Sequence, residues 1–353
     1  MKKILFIDGN LNTGGAERIL ITLIRNARKY GYEAEVVITG KPGPMCSLLP
    51  NEVKVTYMNI PRSRYAFLAL AKYIHKSKPN SVFSVSYTSA LAAVLARPLS
   101  GHNYRIVVRH CLMPKHLIEN GYQNPKSIET KISNLLVRKI DCVVPEHKYM
   151  QQEMLEVYGN IYKDLRYVLN PLDVDLIEEQ RKEKVDFPIG QINVVAAGRI
   201  DCKVKGFDYL IQSFAKVVKE NECFHLYIIG LDAFGEQAGL EKMAEELGCG
   251  NNVHFEGFQN NPYKYFEAAD MYVLSSKFEA SPNVVFENLY MGNRIVATSC
   301  SPILNDILAN NGRLVKYFNI DETAQAILNW EKYNTESLVY GKIEDFFKII
   351  IND

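Results

Sequence analysis

Cysteine is sparse and carries no pattern. Seven are scattered through the 353 residues (Cys46, Cys111, Cys142, Cys202, Cys223, Cys249 and Cys300), and none forms a Cys-x-x-Cys pair. An odd, dispersed set argues against a disulfide framework and against a zinc site. Each reads instead as a small, mostly buried hydrophobe. No apolar run reaches the ~18 residues that a membrane-spanning helix needs. The start, Met1-Lys2-Lys3-Ile4-Leu5-Phe6-Ile7-Asp8, lacks the long apolar core and small-residue cleavage site of a secretory signal and reads as a first buried strand. Internal repeats and low-complexity tracts are absent. These absences lead to the expectation of a cytoplasmic globular protein, and the length favours two domains over one.

Net charge is also nearly absent, at +1, but the balance hides a split. Residues 1–170 hold 24 Lys+Arg and 12 Asp+Glu, a net of +12, whereas residues 171–353 hold 17 and 28, a net of −11. Such a basic half is suited to an anionic partner, whether a phospholipid surface, a lipid-linked pyrophosphate or nucleic acid.

What is present is alternation. Short β-like runs (Ile4–Asp8, Glu33–Ile38, Val53–Met58, Ser81–Val85, Arg105–Val108, Cys142–Pro145 and Arg166–Leu169) are interleaved with helical patterns such as Ala16–Tyr30, Tyr65–His75, Ser127–Lys139 and Lys148–Tyr158. The series restarts with Ile192–Ala197, Leu226–Ile229, Val253–Phe255, Met271–Leu274, Ile295–Ala297 and Leu314–Lys316. Alternation of this kind predicts parallel sheets with right-handed crossovers. The Asn170-Pro171 turn signal and the charge-rich run up to Gly190 mark the boundary. The predicted division is a first domain over 1–170 and a second over 171–353. The helical stretch Thr335–Asp353 follows the second domain, and its last helix is a candidate to return to the first. Functional loops belong at the carboxyl ends of the strands.

Three such loops carry chemistry. Phe278-Glu279-Ala280-Ser281-Pro282-Asn283-Val284-Val285-Phe286-Glu287 follows a strand. Ser281 suits an N-cap and Pro282 a first helical position, which leaves the amides of Asn283 and Val284 at a helix start ready for an anion. Glu287 shares their helix face, and Glu279 precedes the cap. Gly198-Arg199-Ile200-Asp201-Cys202-Lys203-Val204-Lys205-Gly206 puts cations on a strand-to-helix loop, where a phosphate clamp is one reading and a solvated basic loop the other. Asp8-Gly9-Asn10-Leu11-Asn12-Thr13-Gly14-Gly15-Ala16-Glu17-Arg18 brings a double glycine to a helix start, and is neither Gly-x-Gly-x-x-Gly nor a P-loop.

In this order, and together with Val-x-Phe-x-Gly-Phe over Val253–Phe258, these segments resemble the family 4 retaining glycosyltransferases. The resemblance covers nearly the whole chain and is strongest from about Val194 to Thr298. It implies the GT-B fold, an α/β architecture of two Rossmann-like domains facing each other across a cleft. It also implies transfer of a hexose or N-acetylhexosamine from a nucleotide-diphosphate sugar, UDP-sugar favoured, to a lipid-linked or polysaccharide acceptor in bacterial surface glycan biosynthesis. By the same resemblance Arg199 and Lys205 hold the donor diphosphate, with amides from Gly15, Asn283 and Val284. Glu287 holds the ribose, and the base lies near His254, Gly257 and Phe258. Glu279 and His110 stand at the reacting sugar, with Arg109 and Arg18 on the acceptor side. No metal and no cofactor is implied, and no nucleic acid. Two departures stand out: Ala280-Ser281 replaces the usual Gly and apolar residue, and Asn305-Asp306 replaces an Arg-Glu pair.

Two weaker signals bear on partners. Asp173-Val174-Asp175 matches a metal-binding Asp-x-Asp but lies in the boundary turn and reads as linker. Ile60–Lys78 interleaves Arg62, Arg64, Lys72, Lys76 and Lys78 with apolar residues, a pattern that suits either a core-facing surface helix or an anionic membrane surface at the inner face of the plasma membrane. The alternatives to a transferase are a sugar-nucleotide epimerase of the same fold and a non-catalytic sugar-nucleotide-binding partner.

Overall fold

The structure is a computed structural model that describes residues 1–12, 14–124, 126–308, 311–333 and 340–352. The chain divides into two units, Met1–Leu172 with Tyr340–Asp353, and Asp173–Val339. The last helix therefore belongs with the first unit. The residues at 334–339, part of the predicted terminal helical stretch, lie outside the described residues.

In the first unit the strands are β1 (Lys2–Asp8), β2 (Tyr32–Ile38), β3 (Lys54–Tyr57), β4 (Ser81–Ser84), β5 (Arg105–His110) and β6 (Cys142–Pro145). They form one parallel sheet in the order β3-β2-β1-β4-β5-β6. The second unit repeats the scheme with β7 (Ile192–Ala197), β8 (Phe224–Ile229), β9 (Val253–Gly257), β10 (Met271–Leu274), β11 (Arg294–Thr298) and β12 (Gly312–Val315), in the order β12-β11-β10-β7-β8-β9. Both are Rossmann-like. The strand order reverses between β1 and β4 in one sheet and between β7 and β10 in the other, and each reversal opens a crevice at the carboxyl edge.

Strand cores such as Ile4, Phe6, Val194 and Ile228 are fully buried, as sheets covered on both faces require. The helix Phe207–Glu220 buries Leu210, Ile211, Phe214 and Val217 at helical spacing onto the second sheet. The terminal helix Ile343–Ile351 buries Ile343, Phe346, Phe347 and Ile350 in the core of the first unit. There Phe347 meets Tyr30 and Tyr32 with ring centroids 5.4 and 5.0 Å apart.

One predicted strand does not form. Arg166–Leu169 runs beside β6, with Arg166 and Val168 donating to the Val143 and Pro145 carbonyls, but the one bridge is made by Leu165, just before this stretch. Pro171, two residues beyond it, has no N–H to extend a ladder.

Candidate functional site

In the second unit the crevice between β7 and β10 collects the predicted donor residues. The β7 loop carries Arg199 and Lys205, and the β10 loop carries Glu279. Lys205 Nζ lies 2.5 Å from Glu279 Oε1, and Ser276 Oγ donates to the same oxygen at 2.8 Å. Both charged side chains are largely shielded from solvent, so the pair is stronger than a surface ion pair. Gly206 makes the approach possible. It sits at φ +64° between two helices, and a Cβ there would come 2.5 Å from the Ser275 carbonyl. Arg199 is half-exposed, paired with Asp201 at 3.1 Å and lying over the Phe234 ring at 5.4 Å.

The helix Asn283–Tyr290 begins one residue later than expected. Pro282, not Ser281, is its N-cap, and no side chain caps it. Among the described residues the buried Ser281 hydroxyl has no hydrogen-bond partner. The amides of Asn283 and Val284 still open the helix, as expected. Glu287 is buried, and Tyr263 donates to its Oε1 at 3.1 Å. Tyr263 was not legible as a partner, since it acts from another segment of the chain, whereas Ser276 stands on the same loop as Glu279, just ahead of the motif.

At the third strand end the geometry divides the expected base region. Gly257, with φ +65°, and Phe258, which is exposed, stand at the end of β9. His254 does not join them. Its Nε2 lies 3.0 Å from His225 Nδ1, and its ring stacks on Tyr227 with centroids 4.7 Å apart, so it belongs to an aromatic ladder along the sheet edge.

In the first unit, Gly15 is the first residue of the helix Gly15–Asn26, at the carboxyl end of β1, and Arg18 is half-buried on its first turn. The switch point beside them holds a cavity of about 450 Å³ that Asp8, Glu17, Arg62, Arg64, Ser86 and Thr88 help to line. Burial pushes both carboxyls up, and the Asp8 charge adds to the effect on Glu17. The sequence motif contained Asp8 and Glu17 without revealing that they share a cavity. Arg62 and Arg64 thus stand at this cavity, and Leu70, Ala71 and Ile74 of the helix Phe67–Ser77 are buried. One side of the Ile60–Lys78 stretch therefore faces the core, while Tyr65 and Leu68 remain exposed.

Arg109, expected on the acceptor side, is fully buried, and it lines a cavity of the first unit together with His110. Its guanidinium donates to the Pro145 carbonyl at 3.1 Å, the Val168 carbonyl at 2.7 Å and Asn170 Oδ1 at 2.5 Å, and it lies over the Phe346 ring at 4.8 Å. This residue ties β5, β6, the boundary turn and the terminal helix together. Asp173 likewise serves structure, its carboxylate capping the helix Val174–Gln180 through the Leu176 amide.

His110, the last residue of β5, is 5% exposed and meets Tyr87 edge-on with centroids 5.2 Å apart. Burial pushes its pKa down to about 4; the Leu112 backbone opposes this and the Arg109 charge adds to it. The Leu112 contact falls outside hydrogen-bond geometry, and among the described residues neither ring nitrogen has a hydrogen-bond partner. The ring is therefore neutral at pH 7 and can donate or accept one hydrogen bond, but it cannot act there as an acid. Because the unfolded ring takes up a proton near pH 6.5 and the folded ring only near 4, its contribution to stability is complete above about 6.5 and is lost as pH falls towards 4. Urea denaturation at pH 7 and pH 5 should show His110→Phe losing about 2 kcal/mol less than the wild type between the two. Equal losses would mean that the ring is already charged in the fold.

Two family models match, Glycosyltransferase Family 4 over residues 13–176 and Glycosyl transferases group 1 over residues 191–332. The chain belongs to glycosyltransferase family 4. It is 22% identical over 348 residues to a Campylobacter jejuni N-acetylgalactosamine-N,N'-diacetylbacillosaminyl-diphospho-undecaprenol 4-alpha-N-acetylgalactosaminyltransferase, covering 93% of this chain and 89% of that one. It is 27% identical over 290 residues to the lipopolysaccharide core biosynthesis glycosyltransferase LpsD of Rhizobium meliloti, covering 81% and 75%. The fold is similar to that of HepE from Anabaena in complex with UDP-glucose, with a TM-score of 0.74, 20% identity and coverage of 94% and 90%. The family 4 motifs thus fall on the loops that close both switch points.

Proposed function

We propose that this family 4 glycosyltransferase retains anomeric configuration and moves a hexose or N-acetylhexosamine from a UDP-sugar to a lipid-linked or polysaccharide acceptor in bacterial surface glycan assembly. The observation that carries this reading is the Lys205–Glu279 pair at the β7/β10 crevice, beside Arg199 and the start of the helix Asn283–Tyr290. A diphosphate suits two cations and the amides at a helix start. A carboxylate next to them suits the hydroxyls of the transferred sugar. Glu287, lower on the same helix, suits the ribose. The undecaprenol-linked and lipopolysaccharide acceptors named for the relatives, and the UDP-glucose bound by HepE, support the substrate classes.

The residues can perform the transfer as follows. The bond from the sugar's anomeric carbon to the phosphate oxygen breaks as the acceptor oxygen bonds to that carbon from the same face. The acceptor proton passes to the departing phosphate oxygen. Arg199, Lys205 and the helix amides stabilise the charge that develops on the diphosphate, and Glu279 orients the sugar. The acceptor is assigned to the basic first unit and the enzyme to a peripheral position at the cytoplasmic membrane face. Among the described residues no helix is long and apolar enough to cross a membrane.

The test is a panel of nucleotide sugars scored by thermal shift and calorimetry, with EDTA present. One UDP-sugar should bind without any divalent metal, and a ligand at about 100 times its Kd adds roughly 2.7 kcal/mol. Glu287→Ala should weaken that binding by ~1–3 kcal/mol, since the ribose loses its acceptor. Binding abolished by EDTA and restored by magnesium or manganese would overturn the metal-independent reading. Nucleotide released equally with and without acceptor saccharides would overturn transfer.

A further inference from the structure

The loops that follow β7 and β8 are built as one piece. Gly198 donates to the Ile229 carbonyl and Ile200 to the Leu231 carbonyl, each at 2.9 Å, and Ile200 forms a parallel bridge with Asp232. Gly230 permits the approach, because a Cβ there would overlap the Gly198 carbonyl oxygen. Past the bridge, the Asp232 carboxylate accepts the Glu236 amide at 2.9 Å and the Gln237 amide at 3.3 Å. The Glu236 carboxylate in turn accepts the Cys202 amide at 2.8 Å. The turn 233–235 is thus pinned at both ends to the loop that carries Arg199.

Phe234 stands on this turn. It is 61% exposed, yet its ring lies under the Arg199 guanidinium at 5.4 Å. A guanidinium is planar, and its N–H groups point outward in that plane. The aromatic ring therefore covers a face and uses none of the donors. Asp201 takes a single one, through Nη2 at 3.1 Å. The rest of the edge is left for the two acceptor oxygens that a diphosphate offers, and a fork of donors works only when its plane is fixed. An arginine without that support would lose more rotamer freedom when it binds. Glu279 fixes Lys205 by charge, whereas Phe234 fixes Arg199 by its face and takes no charge from it.

We propose that Phe234 is a positioning residue for the transfer: it holds the Arg199 guanidinium edge-on to the donor diphosphate and does not itself contact the nucleoside. This rests on the donor reading above and extends it to a side chain outside the motif segments, on the neighbouring strand end.

Calorimetry with UDP and with uridine tests it, because only UDP carries the diphosphate. Phe234→Ala should weaken UDP binding roughly fivefold or more, the scale of a cation–π contact, and leave uridine binding within twofold. Phe234→Tyr and Phe234→Trp should restore UDP affinity to within twofold of the wild type, whereas Phe234→Leu, which keeps bulk but not the π face, should not. In an Arg199→Ala background, Phe234→Ala should cost less than twofold, since the group it positions is already gone. Thermal midpoints of the Phe234 variants should match the wild type, as the side chain is exposed. Four outcomes overturn the proposal: unchanged UDP binding in Phe234→Ala, equal losses for uridine and UDP, full rescue by leucine, or an undiminished loss without Arg199. Failure of the wild type to bind UDP would strike the donor reading itself, whereas any of those four with UDP bound by the wild type removes the positioning role alone.

Discussion

Glu279→Ala should lower turnover on the order of a hundredfold or more while leaving UDP affinity unchanged or slightly improved. The reason is the ion pair with Lys205 at 2.5 Å. The ammonium is paired with Glu279, and Ser276 donates to the same carboxylate. A diphosphate must compete for that ammonium, and removing the carboxylate removes the competitor. The sugar, however, then loses the group that holds it at the reacting geometry, and a loss felt in the transition state appears in kcat. Lys205→Ala should behave in the opposite sense, with UDP affinity falling and Glu279 left partly buried without its cation. Calorimetry with UDP beside steady-state kinetics separates the two. Parallel losses of affinity in both variants would refute this division of labour.

Arg109→Leu should destabilise the first unit by about 3–5 kcal/mol, the scale of breaking a buried charged network. Two carbonyls and the Asn170 side chain lose their donor, and the buried Glu146, whose charge is felt at Arg109, loses its compensation. For a unit of this size each kcal/mol shifts Tm by roughly 2–4 °C, so a fall of about 6–20 °C is expected by calorimetry or circular dichroism. Asn170→Ala should cost less, because the guanidinium keeps its two backbone acceptors. A shift of under 2 °C for Arg109→Leu would show that the contacts carry little weight.

The contrast between these residues shows what the sequence could disclose. Parallel strands such as Ile192–Ala197 announce themselves as Val/Ile runs, because burial on both faces demands it. The loops after them are legible for the same reason, since the fold sends them to one edge. Partnership across the fold is not. Lys205 finds Glu279 seventy-four positions away, and Arg109 finds Asn170 sixty-one positions away. Nothing local to Arg109 distinguishes a strand-end cation that meets a ligand from one that is sealed inside. The stretch Ile60–Lys78 left two readings open for a related reason: an apolar stripe has the same period whether it faces a core or a bilayer. Arg166–Leu169 had the composition of a strand but lies close to a proline, and the one bridge beside β6 falls on Leu165 before it.

The terminal helix has a consequence for how the protein is made. Its residues Ile343, Phe346, Phe347 and Ile350 complete a core whose other members begin at Ile4. In chain order the whole second unit is an insert between two parts of the first. A ribosome therefore releases the insert, able to close on itself, before it releases the last wall of the unit that emerged first. Until then Tyr30 and Tyr32 lack the cover of Phe347, and the nascent first unit is the one that a holding chaperone would find. A stop codon ahead of Ile343 should accordingly damage the half of the protein that was translated earliest.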